Sequence, residues 1–294
     1  MACNIPVSYL FLFDQADEAL RKTYWAEFAA NGARYLVLTA PLISRMLENP
    51  DLQYQLPAEL AAEGLKFKDS HAPYGIHYDL NCTFEAERKS LLLRHKLHIN
   101  IAAMLGVDTM TIHVGTDHLF PGVTFEQHLS RACSMLEPLL VEAEKCGVIL
   151  ALENGWTQTT STDTLLMLQK KFACDNLGFC FDSGHANIMD NGRLYDQGAA
   201  WTRWQAIGID TPPWESAAEK LQRMLPHVVN CHLHDNNGCE DQHRLPGLGN
   251  VDWRAVTGLL QQAPRLRVIQ SEVHHFRLPL SIHELVNKFE QLFS

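Results

Sequence analysis

The sequence lacks the cysteine spacing of a thiolate metal site or of a disulfide framework. Eight of its 294 residues are cysteines, and they are scattered without a CxxC pair or any other tight group. Isolated thiols of this kind are typical of large proteins that remain reduced. Thiolate metal sites are therefore not expected.

An excess of basic residues is also missing. The 24 Lys and Arg residues against 34 Asp and Glu residues give a net charge of -10, which argues against a general surface for nucleic acid or for anionic membranes. No apolar run approaches a membrane span, and the first residues, MACNIPVSYLFLFD, lack the basic start and cleavage pattern of a signal peptide. We therefore expect a cytoplasmic protein with no membrane partner, and nucleic acid is not expected to be its ligand.

No repeat, low-complexity run or linker divides the chain. Instead, short apolar runs alternate with longer amphipathic segments. Eight such βα units in a chain of this length predict the α/β class and a (β/α)8 TIM barrel, with residues 1–294 forming a single domain. An open doubly wound sheet is the alternative, but the GxGxxG motif expected after its first strand is missing.

The same patterns set the predicted boundaries of the elements. Residues 41–64, which contain Pro50 and Pro57, are predicted as a loop with one or two short helices. The predicted strands are Val7–Phe13, Arg34–Thr39, Leu65–His71, Thr109–Val114, Val148–Glu153, Leu177–Asp182, Val228–His232 and Arg267–Glu272. The predicted long helices are Gln15–Asn31, Glu85–Leu105, Phe125–Cys146, Thr162–Phe172, Ser216–Leu225, Asp252–Gln262 and Ser281–Phe293.

One connection is far longer than usual for such a barrel. Residues 188–214, between the sixth strand and its helix, are rich in Gly, Pro and Trp. This segment is predicted to be a loop that acts as a lid or as an oligomer contact, so a homo-oligomer is a possible assembly.

Imidazole and carboxylate side chains stand at the end of six consecutive predicted strands. A barrel brings such strand ends together on one axis. Glu153 lies in an otherwise apolar strand, where an unpaired carboxylate would cost several kcal/mol. The pattern therefore predicts a divalent metal site. The residues at or just after these ends are His71, His113, Glu153, Asn154, Asp182, His185, His232, His234, Asp241, His243, Glu272, His274 and His275. Strand alternation predicts that His274 points inward and that His275 lies on the surface.

Several of these stretches resemble one known group of proteins. The segments FDSGHAN, HLHDN, LALEN and SEVHH, with the DQHRLPGLG turn before VDW, are similar to the xylose isomerase-like TIM barrel superfamily over roughly residues 70–272. That group includes sugar-phosphate isomerases and epimerases as well as endonuclease IV. The motifs are specific for the superfamily and do not select one member.

In the isomerase and epimerase branch, the resemblance implies one divalent ion (Mn, Zn, Mg or Co) bound by four residues. It also implies that Glu153 and Glu272 exchange a carbon-bound proton of a sugar or sugar phosphate through a metal-bound enediolate. Asn154, His234, Arg244 and His274 are then predicted to contact the substrate. The implied metal ligands are Glu153, Asp182, His232 and Glu272.

In the endonuclease IV branch, the resemblance implies three zinc ions and an apurinic endonuclease, with additional ligands. These additional ligands would be His71, His113, His185, Asp241 and His243. The number of metal ions therefore stays open between one and three.

Two features favour a sugar over DNA. The net charge of -10 does not predict a basic rim. Tyr74 is followed by Gly75. The resemblance to the repair enzymes implies instead an aromatic residue beside an apolar one at this position, a pair that inserts into the base stack. A barrel retained only as a sugar-binding module is a third possibility, which the intact set of ligands disfavours.

Overall fold

Eight parallel strands form a closed barrel in the computed structural model, which describes residues 5–11 and 18–293. The strands are β1 (Val7–Tyr9), β2 (Tyr35–Leu38), β3 (Lys66–His71), β4 (Thr109–Ile112), β5 (Ile149–Glu153), β6 (Leu177–Asp182), β7 (Val228–Leu233) and β8 (Val268–Ser271). Each strand pairs with the next in chain order, and β8 pairs with β1. The predicted single-domain (β/α)8 TIM barrel is confirmed.

Helices connect the strands on the outside of the barrel. Within the described residues they are α1 (Glu18–Ala30), α2 (Ala40–Glu48), α3 (Leu52–Ala62), α4 (Arg88–Met104), α5 (Phe125–Cys146), α6 (Thr162–Phe172), α7 (Ser183–Asp190), α8 (Ala199–Ala206), α9 (Ala217–Met224), α10 (Trp253–Leu260) and α11 (Ile282–Leu292). None of these helices is both long enough and apolar enough to cross a membrane.

Local sequence signals explain why the boundaries of α5 agree with the prediction. Thr124 and Gln127 form a capping box that satisfies backbone N–H groups at the start of the helix. Gly147 ends the helix with φ 68°, a left-handed conformation that glycine adopts without strain. The boundaries of α6 and β6 also coincide with the prediction.

The strands β4 to β7 are buried along their whole length. They are mostly apolar because both faces of a parallel sheet are covered by protein. Thr111 and Asn230 are buried polar exceptions within β4 and β7, whereas the ionisable residues Glu153 and Asp182 end β5 and β6, where the barrel opens.

One predicted element differs from the structure at the start of the chain. The first strand ends at Tyr9 rather than at Phe13, and Phe13 lies outside the described residues. Gln15, where the first helix was predicted to begin, also lies outside them. The one or two short helices predicted within residues 41–64 are confirmed by α2 and α3.

The long insertion predicted after the sixth strand is present, but residues 188–214 are largely helical rather than a loop. The segment completes α7, forms a 3-10 turn at Asn191–Leu194 and then forms α8. Its apolar side chains explain the order, because Ile188 and Trp204 pack with Trp156 in a second apolar cluster beside the barrel. A role of this segment as a lid or oligomer contact stays a prediction.

Candidate metal centre

The carboxyl ends of β3 to β8 bring imidazole and carboxylate groups to one mouth of the barrel. The pairing register places Asp182 level with His232 on neighbouring strands, and Glu272 follows the last residue of β8. Parallel strands in a closed barrel point the same way, so their carboxyl ends meet. The group is called the mouth cluster below. It consists of His71, His113, Glu153, Asp182, His185, His232, His234, Asp241, His243 and Glu272.

The imidazole of His232 lies at the centre of the mouth cluster. Its Nδ1 is 2.6 Å from Glu153 Oε1, 3.4 Å from Glu272 Oε2 and 4.0 Å from Asp182 Oδ2. Its Nε2 lies 3.2 Å from the hydroxyl oxygen of Thr111. Glu153, Asp182 and His232 are buried. The four residues predicted to bind one ion therefore lie around a single point.

A second group of donors adjoins Glu153. His113 Nε2 lies 2.5 Å from Glu153 Oε2, and His71 Nε2 lies 3.8 Å from the same oxygen. On its other side, His113 Nδ1 is 3.7 Å from Asp79 Oδ1, which also accepts a hydrogen bond from the Gly75 N–H. The two oxygens of Glu153 thus face different imidazoles, as a bridging carboxylate would.

A third group surrounds Asp241, in the loop after β7. Its Oδ2 lies 3.1 Å from His243 Nε2 and 3.4 Å from His185 Nε2, and its Oδ1 lies 3.7 Å from His234 Nε2. His243 has φ 46°, an uncommon value for a residue with a side chain. The five residues predicted as possible additional ligands therefore all lie in the mouth cluster.

His234 was predicted to contact the substrate, but it lies deep within the mouth cluster. The side chain is fully buried, and its Nε2 is 3.2 Å from Asp182 Oδ2 and 3.9 Å from Glu272 Oε2. It is therefore as well placed to bind a metal as the residues predicted to do so.

Four atoms of the mouth cluster are buried without a hydrogen bond of good geometry. They are Glu153 Oε1, His232 Nδ1, His234 Nδ1 and Asp241 Oδ1. Buried polar atoms in folded proteins nearly always have a partner. Two ligand atoms of a tetrahedral zinc ion lie about 3.3 Å apart, because each is about 2.0 Å from the ion, and the separations around His232 Nδ1 bracket that value. The donor set therefore fits a divalent ion.

The pKa values of three carboxylates in the mouth cluster, those of Glu153, Asp241 and Glu272, are lowered, which favours their ionised form. Burial alone would raise the pKa of Glu153, but His232 and His113 outweigh it and hold that pKa well below its usual range. The same balance lowers the pKa of Glu272, through His232 and His243.

The imidazoles show the opposite shift. Burial would lower the pKa of His185, but Asp182 and Asp241 raise it to about 10. Against the same burial effect, Asp241 raises the pKa of His243 to about 9, and the pKa of His232 also lies well above its usual value. Without a metal, the mouth cluster therefore balances its carboxylates with protons on these imidazoles.

Backbone contacts hold the cluster residues in place. The Asn154 amide donates to the Asp182 carbonyl and accepts from the Asp182 N–H. Both ends of the amide are therefore engaged in joining β5 to β6 rather than in facing the cavity. The Ser183 hydroxyl similarly accepts from the His234 N–H and donates to the His234 carbonyl.

Two predicted residues lie apart from the mouth cluster. The Arg244 guanidinium donates to the Leu248 carbonyl in the following turn. The ring of His274 stacks on His243 at 3.9 Å between centroids, where burial, together with the charge of His243, lowers the pKa of His274 to about 3. Substrate contacts of Asn154, Arg244 and His274 stay predictions.

The prediction that His275 lies on the surface is wrong. Its side chain is buried, and its ring lies 5.8 Å from the ring of Phe28. The prediction assumed that strand alternation continues past Glu272. Instead β8 ends at Ser271 and a 3-10 turn begins at His275, so the alternation does not apply.

Sequence patterns missed three residues beside the mouth cluster. Asp79 lies in the loop after β3, and only the polarity of that loop marked it. Trp156 follows β5 and contacts the ring of His185 at 4.5 Å. Arg203 comes from α8, within the segment predicted to be irregular, and it lines the cavity beside the cluster.

The barrel and its mouth cluster define a TIM-barrel protein with a candidate metal centre at the carboxyl ends of the strands. The chain belongs to the family described as xylose isomerase-like TIM barrel, whose sequence profile matches residues 26–275. The resemblance seen in the sequence motifs is thereby confirmed.

Relatives and solved structures agree with this family. An uncharacterized protein of Methanocaldococcus jannaschii is 25% identical over 228 residues, which are 76% of this chain and 69% of the relative. The structure of 3-keto-D-glucoside 4-epimerase from E. coli is 14% identical, with a TM-score of 0.72, and the match covers 98% of this chain and 99% of that one. The IOLI protein, solved with a zinc atom, is 16% identical, with a TM-score of 0.68 over 97% of this chain and 96% of its own. At these identities the structures establish the fold.

A close approach of backbone to imidazole generates the first prediction. A Cβ atom at Gly184 would lie 2.0 Å from Cε1 of His234, whereas one at the exposed Gly258, in α10, would meet nothing within 4 Å. We expect Gly184→Ala to displace His234 and to weaken metal binding by about tenfold or more. Gly258→Ala, the matched control, should leave metal affinity unchanged and stabilise α10 by about 0.5–1 kcal/mol. Zinc titration of both variants tests this, and equal zinc affinities would contradict it.

The raised pKa values of the imidazoles generate the second prediction. His232, His185 and His243 are protonated in the metal-free protein at pH 7, and a metal binds only the neutral ring. Metal affinity should therefore rise with pH up to about 9 to 10, and binding should release protons. One ion at the predicted four-residue site should release about one proton, and filling of all three groups should release about three.

Calorimetric zinc titrations of chelator-treated protein, in buffers with different ionisation enthalpies, measure both the stoichiometry and the protons released. Binding that neither releases protons nor depends on pH would show that these imidazoles are not ligands.

Proposed function

We propose that this protein is a divalent-metal-dependent isomerase or epimerase of a sugar or sugar derivative. The observation that carries the proposal is the pair of carboxylates Glu153 and Glu272, whose oxygens lie 2.6 and 3.4 Å from the same nitrogen of His232. Two ionised carboxylates close to one point are suited to removing a proton from carbon and returning it. A sugar epimerase from E. coli on the same fold supports the class of substrate.

Glu153, Asp182, His232 and Glu272 would hold the ion, which would be zinc, manganese, magnesium or cobalt. The IOLI protein, a zinc-containing structure of the same fold, supports this assignment. A bound divalent ion acidifies the C–H bond beside a carbonyl group and stabilises negative charge on the enediolate.

The proton transfers fall to the two glutamates. One carboxylate removes the proton from the carbon beside the carbonyl, and the electron pair of that bond moves into the enediolate. In isomerisation the same carboxyl group returns this proton to the neighbouring carbon. In epimerisation the other glutamate takes up a proton from solvent and delivers it to the opposite face of the carbon, and the first carboxyl group then loses its proton to solvent. His113, 2.5 Å from Glu153, favours the ionised form of that residue and thus its role as the base.

Replacement of either glutamate tests this function. We expect Glu153→Gln and Glu272→Gln each to lower turnover by about 10²- to 10⁴-fold, because an amide cannot accept the carbon-bound proton. The exposed Glu137, in α5, offers the same substitution far from the mouth cluster, and Glu137→Gln should retain full activity. The readout is deuterium incorporation from D₂O into a panel of ketoses, followed by NMR.

Metal content must be measured on the same samples, because both glutamates are also proposed ligands. Loss of exchange with metal retained identifies the acid and base directly. Wild-type protein that holds metal but exchanges no deuterium with any ketose or ketose phosphate would contradict the proposed function.

A second candidate is a trinuclear phosphodiesterase like endonuclease IV. Two observations favour it, namely the imidazoles His71 and His113 beside Glu153, and the group of His185 and His243 around Asp241. These donors exceed what one ion needs. The net charge of -10 argues against a duplex DNA substrate.

Cleavage of a duplex with one abasic site separates the two candidates. We expect the zinc-loaded protein to leave this duplex intact under conditions in which it exchanges ketose protons. Cleavage that requires His185 and His243, without any proton exchange, would establish the second candidate instead.

A further inference from the structure

A cavity beside the mouth cluster contains one cation that none of the proposed chemistry uses. The cavity has a volume of about 120 Å³ and opens to solvent, and its walls include His113, Glu153 and His185 from the cluster. Arg203, from α8, lines the same cavity. A ligand bound there would touch Glu153 and Arg203 together.

The guanidinium of Arg203 lies over an aromatic ring. Its Cζ lies 4.3 Å from the centroid of the Trp156 ring, and Trp156 is itself packed against His185 at 4.5 Å. A cation–π contact at this distance uses none of the N–H groups as a conventional hydrogen-bond donor. The contact thus leaves these donors available for a planar, bidentate partner.

Those donors have no protein partner within residues 5–11 and 18–293. Arg203 has no hydrogen bond or ion pair there, and Asp241 and Asp117 influence its charge only through space. Two other arginines that are buried to a similar or greater extent have hydrogen-bonded partners. Arg21 donates to Glu59 at 2.8 Å, and Arg88 donates to three backbone carbonyls.

This contrast argues against a purely structural role for Arg203. Burial opposes the charge of the guanidinium, and a partly buried cation without a hydrogen-bonded partner is unfavourable. A site built to bind an anionic ligand places such a cation in advance. The chain is acidic, so a local cation is also needed to attract an anion to this mouth.

We propose that Arg203 binds an oxyanionic group, a phosphate or a carboxylate, on the substrate. The substrate class is then a sugar phosphate or a sugar acid. The placement of the reacting carbons at Glu153 rests on the proposed function, whereas the anion site rests on Arg203 and Trp156 alone.

The test compares charged sugars with their neutral parents on the zinc-loaded protein. The probes are D-fructose 6-phosphate against D-fructose, and D-glucuronate against D-glucose. Calorimetry should show that at least one charged probe binds about 10- to 100-fold more tightly than its parent. Which pair shows the difference distinguishes phosphate from carboxylate.

Two substitutions at Arg203 and one control show whether the tighter binding of the charged probe depends on this residue. Arg203→Gln should abolish the preference for the charged probe and leave the affinity of the neutral parent within about twofold. Arg203→Lys, which keeps the charge but not the bidentate plane, should retain only part of the preference. Arg193→Gln removes one charge from the same segment, at a side chain that is 54% exposed and paired with Asp190, and should bind as the wild type does.

The proposal is overturned if no charged probe binds more tightly than its parent in the wild type, or if the preference survives in both Arg203 variants. Circular dichroism and zinc content confirm that each variant is folded and loaded. Because binding is measured without turnover, an Arg203-dependent preference in a protein that exchanges no ketose protons would overturn the proposed function and leave the anion site standing.

Discussion

The constraint on which the structure depends is the burial of carboxylates at the mouth of the barrel. Glu153 and Asp182 end two adjacent buried strands, and each is almost inaccessible to solvent. A buried carboxylate without compensation is strongly destabilising. Protonated imidazoles at the end of β4, in β7 and in the loop after it offset these negative charges, and a divalent ion would offset them more completely.

The closed barrel makes this arrangement possible. Its register sets Asp182 level with His232 and brings the ends of the neighbouring strands close enough for their side chains to meet. Asp241 and His243 come from farther along the loop after β7. The Asp235 carboxylate anchors that loop by accepting hydrogen bonds from the N–H groups of Gly247 and Val251 and from the indole of Trp253. The left-handed backbone of His243 is thus retained at the cluster, where strained residues commonly persist.

Much of the fold and of the mouth cluster could be predicted from the sequence, because the strands of a parallel barrel appear in it as repeated apolar runs that are followed by polar residues. Glu153 was recognisable since its strand is otherwise apolar, and α5 carried explicit capping signals. The prediction failed where a local rule stopped applying. His275 was placed outside because alternation was extended past the end of β8, and residues 188–214 were read as irregular because Gly and Pro outweighed the packing of their tryptophans. Arg203 carried no local signal, since only tertiary packing brings it to the cavity.

The family assignment and the mouth cluster both indicate that Glu153, Asp182, His232 and Glu272 bind a divalent ion. This binding can be tested with a crystal of the protein grown with zinc, with data collected above and below the zinc absorption edge. We expect an anomalous difference peak bounded by these four side chains, with further peaks only where His71 and His113 or His185 and His243 complete additional sites. A zinc-soaked crystal with no anomalous peak at the barrel mouth would contradict it.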